Sequence, residues 1–206
     1  MKISKRLQAI CDMVPNNVNV IDIGADHALT DIYLAKTKNC NCLATDISEK
    51  ALENAKITID KANVNVKTMV TDGLHDIELN DEIIILSGMG AHTIMKILDR
   101  NITNDIIVSA HTNIPELRKY MYKKGYHIKN EVAIKDKYYY IISYYEYGRS
   151  KKINYIISPF LEKNIGYMTY LHKYYRMKSQ HETKIIKKLK YHYIVFLINK
   201  KIKRSS

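Results

Sequence analysis

Four acids stand where an alternating chain of strands and helices would carry them to one edge of a sheet. Asp22 lies in the apolar run 18–23 and is followed by Gly24-Ala25-Asp26-His27-Ala28. Asp46 follows the run 42–45, and Asp72 follows the run 64–70 within Thr71-Asp72-Gly73-Leu74. In open parallel sheets, ligands bind beyond the carboxyl ends of the strands. An acid after the second strand can accept from both hydroxyls of a ribose, and one after the third can accept from an adenine amino group. The turn after the first strand is not a dinucleotide fingerprint. A GxGxxG motif beginning at Gly24 would need glycine at 26 and 29, where Asp26 and Leu29 stand, so close approach of a pyrophosphate is disfavoured. Carboxylates in that turn suit a phosphate-free adenosyl ligand with a sulfonium charge, S-adenosylmethionine. Any one of these acids alone would more often be a loop or cap residue; their joint placement carries the reading.

A fourth run, 83–87, opens into Gly88-Met89-Gly90, whose glycines let backbone approach a ligand or a base closely. The Asn-Pro-Pro-Tyr motif of many amino-group methylases is absent from the sequence, which argues against their mechanism. Cys11, Cys40 and Cys42 form no CxxC pair and read as reduced thiols, with no metal site expected. Tyr138, Tyr139 and Tyr140 could stack on bases, although sheet packing is the simpler use of most of them.

The elements that must position these residues follow from periodicity. The first 14 residues read as an amphipathic helix, with Ile3, Leu7, Ile10, Cys11 and Val14 at helical spacing, ended by Pro15-Asn16-Asn17. Strands are expected at 18–23, 42–45, 64–70, 83–87 and 106–109, with helices at 28–36, 48–62 (Ser48 as N-cap), around 94–98, and at 115–124. Two further strands, 126–134 and 138–147, are joined by Lys135-Asp136-Lys137 with no helix between, predicting a hairpin that adds an antiparallel edge strand. The expected fold class is therefore α/β, a Rossmann-like seven-stranded methyltransferase core. Gly148-Arg149-Ser150 reads as a linker, giving domains at 1–150 and 151–206. Beyond it, one stripe (Leu161, Ile165, Met168, Leu171, Tyr175) and another (Ile186, Leu189, Tyr193, Phe196) predict a coiled-coil-like helical hairpin. Ser179-Gln180-His181-Glu182 is expected to cap its second helix.

Charge is unevenly placed. Residues 1–150 hold 19 Lys and Arg against 19 Asp and Glu; residues 151–206 hold 14 against 2, so the formal net charge of +12 sits in the last 56 residues. A basic appendage on a neutral core favours a polyanion, nucleic acid ahead of membrane, over the plainer reading of a solvated lysine-rich face. No apolar run reaches membrane-spanning length, and the basic N-terminus leads into no apolar signal core, so a cytoplasmic protein is expected.

Several of these segments resemble the bacterial tRNA (adenine-N1)-methyltransferase family that modifies the adenosine at tRNA position 22. They are Ser4-Lys5-Arg6-Leu7, Asp22-Ile23-Gly24-Ala25-Asp26-His27-Ala28, Asp72-Gly73-Leu74, Gly88-Met89-Gly90, Asn113 with Leu117-Arg118, and the Tyr-rich hairpin. The resemblance spans essentially the whole chain. Ala91 replaces a glycine usual in the family, and His111-Thr112-Asn113 stands where Gln-Pro-Asn is frequent. The resemblance implies S-adenosylmethionine as methyl donor, a tRNA substrate and no metal; a monomer is also expected. Donor-site residues are expected to be Asp22, Gly24, Asp26, His27, Asp46, Ile47, Asp72, Gly73, Gly88 and Met89. Substrate contacts are expected from Arg6, Gly90, Asn113, Arg118, Lys173, Arg176, Lys184, Lys187 and Lys188. Asp26 either accepts from the target base's amino group as its N1 attacks, a catalytic role, or serves only the donor's amino-acid end or a helix cap. Competing readings are a methyltransferase with another acceptor, a non-catalytic RNA binder with a retained adenosyl pocket, and a nicotinamide oxidoreductase, which the missing glycines disfavour.

Overall fold

The computed structural model describes residues 1, 3–136, 138–148 and 153–205. The chain divides into two compact units, Met1–Lys151 and Lys152–Ser206. Arg149 and Ser150 of the expected linker, and Lys137 of the expected turn, lie outside the described residues.

The first unit is built on a seven-stranded sheet: β1 (Asn19–Ile23), β2 (Asn41–Asp46), β3 (Val66–Val70), β4 (Ile83–Met89), β5 (Ile106–Ala110), β6 (Tyr126–Lys135) and β7 (Tyr139–Tyr147). Its order is β3-β2-β1-β4-β5-β7-β6, so strand order reverses between β1 and β4. The β1–β2, β2–β3, β1–β4 and β4–β5 pairs are parallel, and β7 is antiparallel to both its neighbours. The antiparallel strand is therefore not at the edge, as expected from sequence, but one place inside it. Composition explains this. β7 buries Ile141, Ile142, Ser143, Tyr144 and Tyr145 in succession, which suits an inner position, whereas β6 carries Lys129 and Asn130 in the exposed middle of the edge strand.

Helices cover both faces. On one side α1 (Lys5–Met13), α2 (Leu29–Lys38) and α3 (Glu49–Ala62) bury Ile10, Ile32, Leu34, Leu52 and Ile59 with Val20, Ala44, Ile85 and Ile107. On the other, α4 (Ala91–Ile97) and α5 (Ile114–Lys123) bury Ile94, Leu117 and Met121 with Ile21, Ile23, Ile84, Leu86 and Val108. Successive β1 and β4 residues alternate between these two cores, the period-two signature of a sheet covered on both faces. Ser4 and Ser48 cap α1 and α3 by accepting from the backbone N–H groups of Leu7 and Ala51.

In the second unit, α6 (Ile165–His181) and α7 (Ile185–Ser205) form a helical hairpin. Two details differ from the sequence reading. Ser179 does not cap α7: it is buried inside α6, continuing the face of Met168, Leu171 and Tyr175, and the chain breaks only at 182–184. The stripe Ile186, Leu189, Tyr193 and Phe196 does not form the seam either. These residues are 60–83% exposed, and Ile194 and Ile198 are the buried ones. The run 191–198 is apolar at most positions, so it presents two stripes, and the partner helix selects the one that packs. Ile165 likewise lies exposed, off the α6 face to which it was assigned.

Candidate active site

The turn after β1 has an unusual backbone. Gly24, Asp26 and Ala28 all have positive φ (76°, 50° and 52°), a conformation costly for the two non-glycine residues. It is held from β2: the N–H groups of Gly24 and Ala25 both donate to the Thr45 carbonyl at 2.8 and 2.9 Å. Its positive φ favours Gly24, and Met89 closes over it, with Cε 2.4 Å from where a Cβ would stand. The turn is thus packed against the end of β4 and fixed by the end of β2.

Asp46 is oriented by the same framework. Its Oδ1 accepts from Ser48 N–H at 2.9 Å, and its Oδ2 accepts a longer bond from Asp26 N–H at 3.4 Å. Ile47 beside it is 69% exposed, an apolar surface held open next to a fixed carboxylate. Asp72 is exposed and borders a cavity of about 380 Å³ with Leu74, His75, Lys96, Ile97, Asp99 and Arg100. Gly73 is buried, where a Cβ would come within 3.1 Å of Ile97, so it supports the turn by close packing. Asp26 and His27 are exposed, with His27 Nε2 3.8 Å from Asp26 Oδ2. Asp46, Ile47, Asp72, Asp26 and His27 therefore stand open at the carboxyl ends of β1, β2 and β3.

Asp22 is different. It is 4% exposed and faces a second buried acid, Asp31 of α2. Burial raises its carboxyl, which stands at about 7 on balance. A hydrogen bond with Asp31 and the charge of Arg6 oppose that rise, and the charge of Asp46 adds to it. Asp31, for which the sequence offered no signal, is also raised well above the ordinary carboxylate range, by burial first and then by the charge of Asp22.

The neighbouring end of β4 collects other groups. Arg6 Nη1 donates to Ser87 Oγ at 3.3 Å, and its guanidinium lies 5.6 Å from the centre of the Tyr140 ring. His111 meets Tyr140 edge-on at 6.2 Å between centroids; partial burial and the charge of Arg6 lower its pKa. Gly88 is exposed near Arg6, and Gly90 is the N-cap of α4. Asn113 is exposed at the start of α5, with Nδ2 3.2 Å from His92 Nε2. The Arg6–His111–Tyr140 cluster joins three segments distant in sequence, so no local motif could have displayed it.

Arg118 requires correction as a substrate contact. It is 2% exposed and makes paired bonds to Glu131 (Nε to Oε1 at 3.0 Å, Nη2 to Oε2 at 2.9 Å), while Ser143 donates to the same carboxylate at 2.6 Å. A guanidinium committed to a buried carboxylate between α5 and β6 is a structural tie. In the second unit, Lys173 and Arg176 are exposed on α6, Lys184 is exposed beyond its end, and Lys187 and Lys188 are exposed in the first turn of α7. Lys178 instead lies over the Tyr174 and Tyr191 rings, at 4.8 and 5.9 Å.

Among the described residues no cluster of three His, Cys, Asp or Glu side chains could hold a metal, and no helix is long and apolar enough to cross a membrane. Burial raises the Cys11 thiol to about 12 and raises Cys42 as well, so neither offers a thiolate nucleophile.

Residues 3–142 match the methyltransferase domain family. The tRNA (adenine(22)-N(1))-methyltransferase of Bacillus subtilis is 29% identical over 145 residues, covering 66% of this chain and 61% of that protein. A Mycoplasma genitalium protein provisionally named a tRNA methyltransferase is 31% identical over 141 residues, covering 65% of this chain and 64% of that protein. The alignments thus span somewhat under two thirds of these relatives' length. Among solved structures, M. capricolum TrmK in complex with S-adenosyl-homocysteine is similar over 98% of this chain and 99% of its own, with a TM-score of 0.84 and 25% identity. The B. subtilis m1A22 tRNA methyltransferase TrmK shares the fold over 98% and 99% of the two chains, with a TM-score of 0.81 and 23% identity.

Proposed function

Since this chain belongs to the methyltransferase domain family, we propose that it transfers a methyl group from S-adenosylmethionine to N1 of the adenosine at position 22 of tRNA. The observation that carries the reading is the row of open carboxylates (Asp26, Asp46, Asp72) at the ends of β1 to β3, beside an exposed Ile47 and without a phosphate cradle. That donor set fits a phosphate-free adenosyl group with a cationic end. Bound there, S-adenosylmethionine supplies a methyl group activated by its sulfonium charge.

The residues divide the remaining work. Asp46, fixed by two backbone donors, accepts from the ribose hydroxyls. Ile47 lies against the adenine face, and Asp72 accepts from its amino group. The Gly88–Gly90 segment and the Arg6–His111–Tyr140 cluster border the acceptor side. Adenine N1 carries a free lone pair at neutral pH, so the protein's task is alignment and a field that tolerates the cationic product, rather than removal of a proton. Asp26, exposed in the turn that packs through Gly24 against Met89, supplies negative charge there. N1 normally lies in a base pair, so the target base must be displaced to reach the site. The basic hairpin grips the RNA backbone through Lys173, Arg176, Lys184, Lys187 and Lys188, which gives affinity and register.

The test is incubation with labelled S-adenosylmethionine and total tRNA, followed by nucleoside analysis and mapping. N1-methyladenosine at position 22 is expected. Donor binding without tRNA methylation would redirect the reading to another acceptor.

A further inference from the structure

Behind the open site lies a group that the proposed reaction does not use. Asp31 of α2 is 0% exposed, and its carboxyl oxygens face only the residue's own backbone amide and the carboxyl of Asp22, neither at full hydrogen-bond geometry. Buried polar atoms are rarely left in this state, and buried carboxylates are rarely placed together. The charged and titratable groups acting on the pair come from two neighbouring elements. From α1 come Arg6 and the Cys11 thiol, and from β2 come Asp46 and the Cys42 thiol. Both thiols are held neutral by burial. Arg6 is thus the one cation acting on Asp22 among the described residues, and it also serves Ser87 and Tyr140. One cation outside a buried site cannot support two carboxylates within it.

We propose that Asp31 is a positioning residue that stays protonated and donates a hydrogen bond to Asp22, holding Asp22 as the single carboxylate at the base of the donor turn. Asp22 sits two residues before Gly24, so its ionisation sets the field felt by a cationic group in the turn. When Asp22 ionises, its proton leaves to solvent and Asp31 keeps its own, so the pair carries one negative charge. The amide of asparagine can make the same donation to Asp22; an aliphatic side chain of similar size cannot. Burial raises Asp22, and with the Asp31 hydrogen bond and Arg6 both lowering it the carboxyl stands at about 7. The donation from Asp31 therefore decides whether the carboxylate exists at physiological pH, and the coupling makes occupancy of the turn by a cation pH-dependent near neutrality.

The experiment uses the full chain with wild type, Asp31→Asn and Asp31→Leu. Carboxyl-stretch infrared difference spectra across pH 5–9 read protonation directly, without ligand. Wild type should keep one protonated carboxyl band at pH 8, and that band should vanish in Asp31→Asn. In Asp31→Leu, Asp22 should titrate about one pH unit or more higher than in Asp31→Asn. The affinity for S-adenosylhomocysteine, which retains the ammonium group, should fall as pH drops through the Asp22 titration, and the fall should begin at higher pH in Asp31→Leu. Loss of the wild-type band at pH 8, or identical Asp22 titrations in Asn and Leu, would overturn the proposal. This rests on the methyl-donor reading only for the affinity measurement. If S-adenosylhomocysteine binds at no pH, that reading fails while the infrared titration still decides the pair. If Asp31→Leu does not fold, the wild-type band and its loss in Asp31→Asn suffice.

Discussion

Asp22 and Asp46 look alike in sequence, each an acid at the end of a buried strand, yet their surroundings give them opposite chemistry. Asp46 accepts from two backbone N–H groups at the rim, while Asp22 is enclosed with another acid. Strand periodicity could place both acids at one sheet edge. It could not reveal Asp31, because a single Asp within an amphipathic helix reads as a solvated residue until the fold shows which face it lies on. The pair has a consequence for stability. The carboxyls of Asp22 and Asp31 are raised in the folded protein, so between about pH 4 and 7 the native state binds more protons than the unfolded state, and stability falls as pH rises through that window. Asp31→Asn removes one of these titrations. Its thermal midpoint should decline less steeply than that of wild type between pH 4.5 and 7.5, and parallel curves would contradict this sign.

At the scale of elements, the order of strands and helices was legible because buried runs of strand length alternate with helical segments. The serine cap of α3 was visible for the same local reason, whereas Ser4, inside the stripe that begins at Ile3, gave no such signal for α1. What was not legible depended on contacts across the sheet. Arg118 and Glu131 are 13 residues apart on α5 and β6, and nothing local distinguishes a buried guanidinium from a phosphate contact. Ser143 on β7 completes that network. Breaking the pair with Arg118→Met should cost about 3–5 kcal/mol by leaving an uncompensated buried charge, whereas replacing both partners with apolar residues should cost far less. Denaturant unfolding of the single and double variants, compared with wild type, measures this directly. Little change in the single variant would restore Arg118 as a candidate for contact with substrate.

At the scale of the molecule, the division of charge is the dominant feature. Its position was evident from composition alone, since the first 150 residues are balanced and the last 56 hold the whole excess. The phase of α7 was not evident, because two apolar stripes compete along it and only the partner helix selects between them. Lys184, Lys187 and Lys188 lie together where α7 begins and are exposed. Replacing all three with alanine should weaken tRNA binding and lower the slope of log affinity against log salt by roughly 2–3 if each contacts one phosphate. S-adenosylhomocysteine affinity should be unchanged. An unaltered salt slope would remove this end of the hairpin from the RNA contact.

Cys11, Cys40 and Cys42 all belong to the core on the α1–α2–α3 side of the sheet, and the opposite core contains no cysteine. Alkylation by a small thiol reagent is therefore a clock for the opening of one face alone. Its rate in native conditions reports how often the layer that carries α1 and α2 separates from the strands, while excursions confined to α4 and α5 leave it silent.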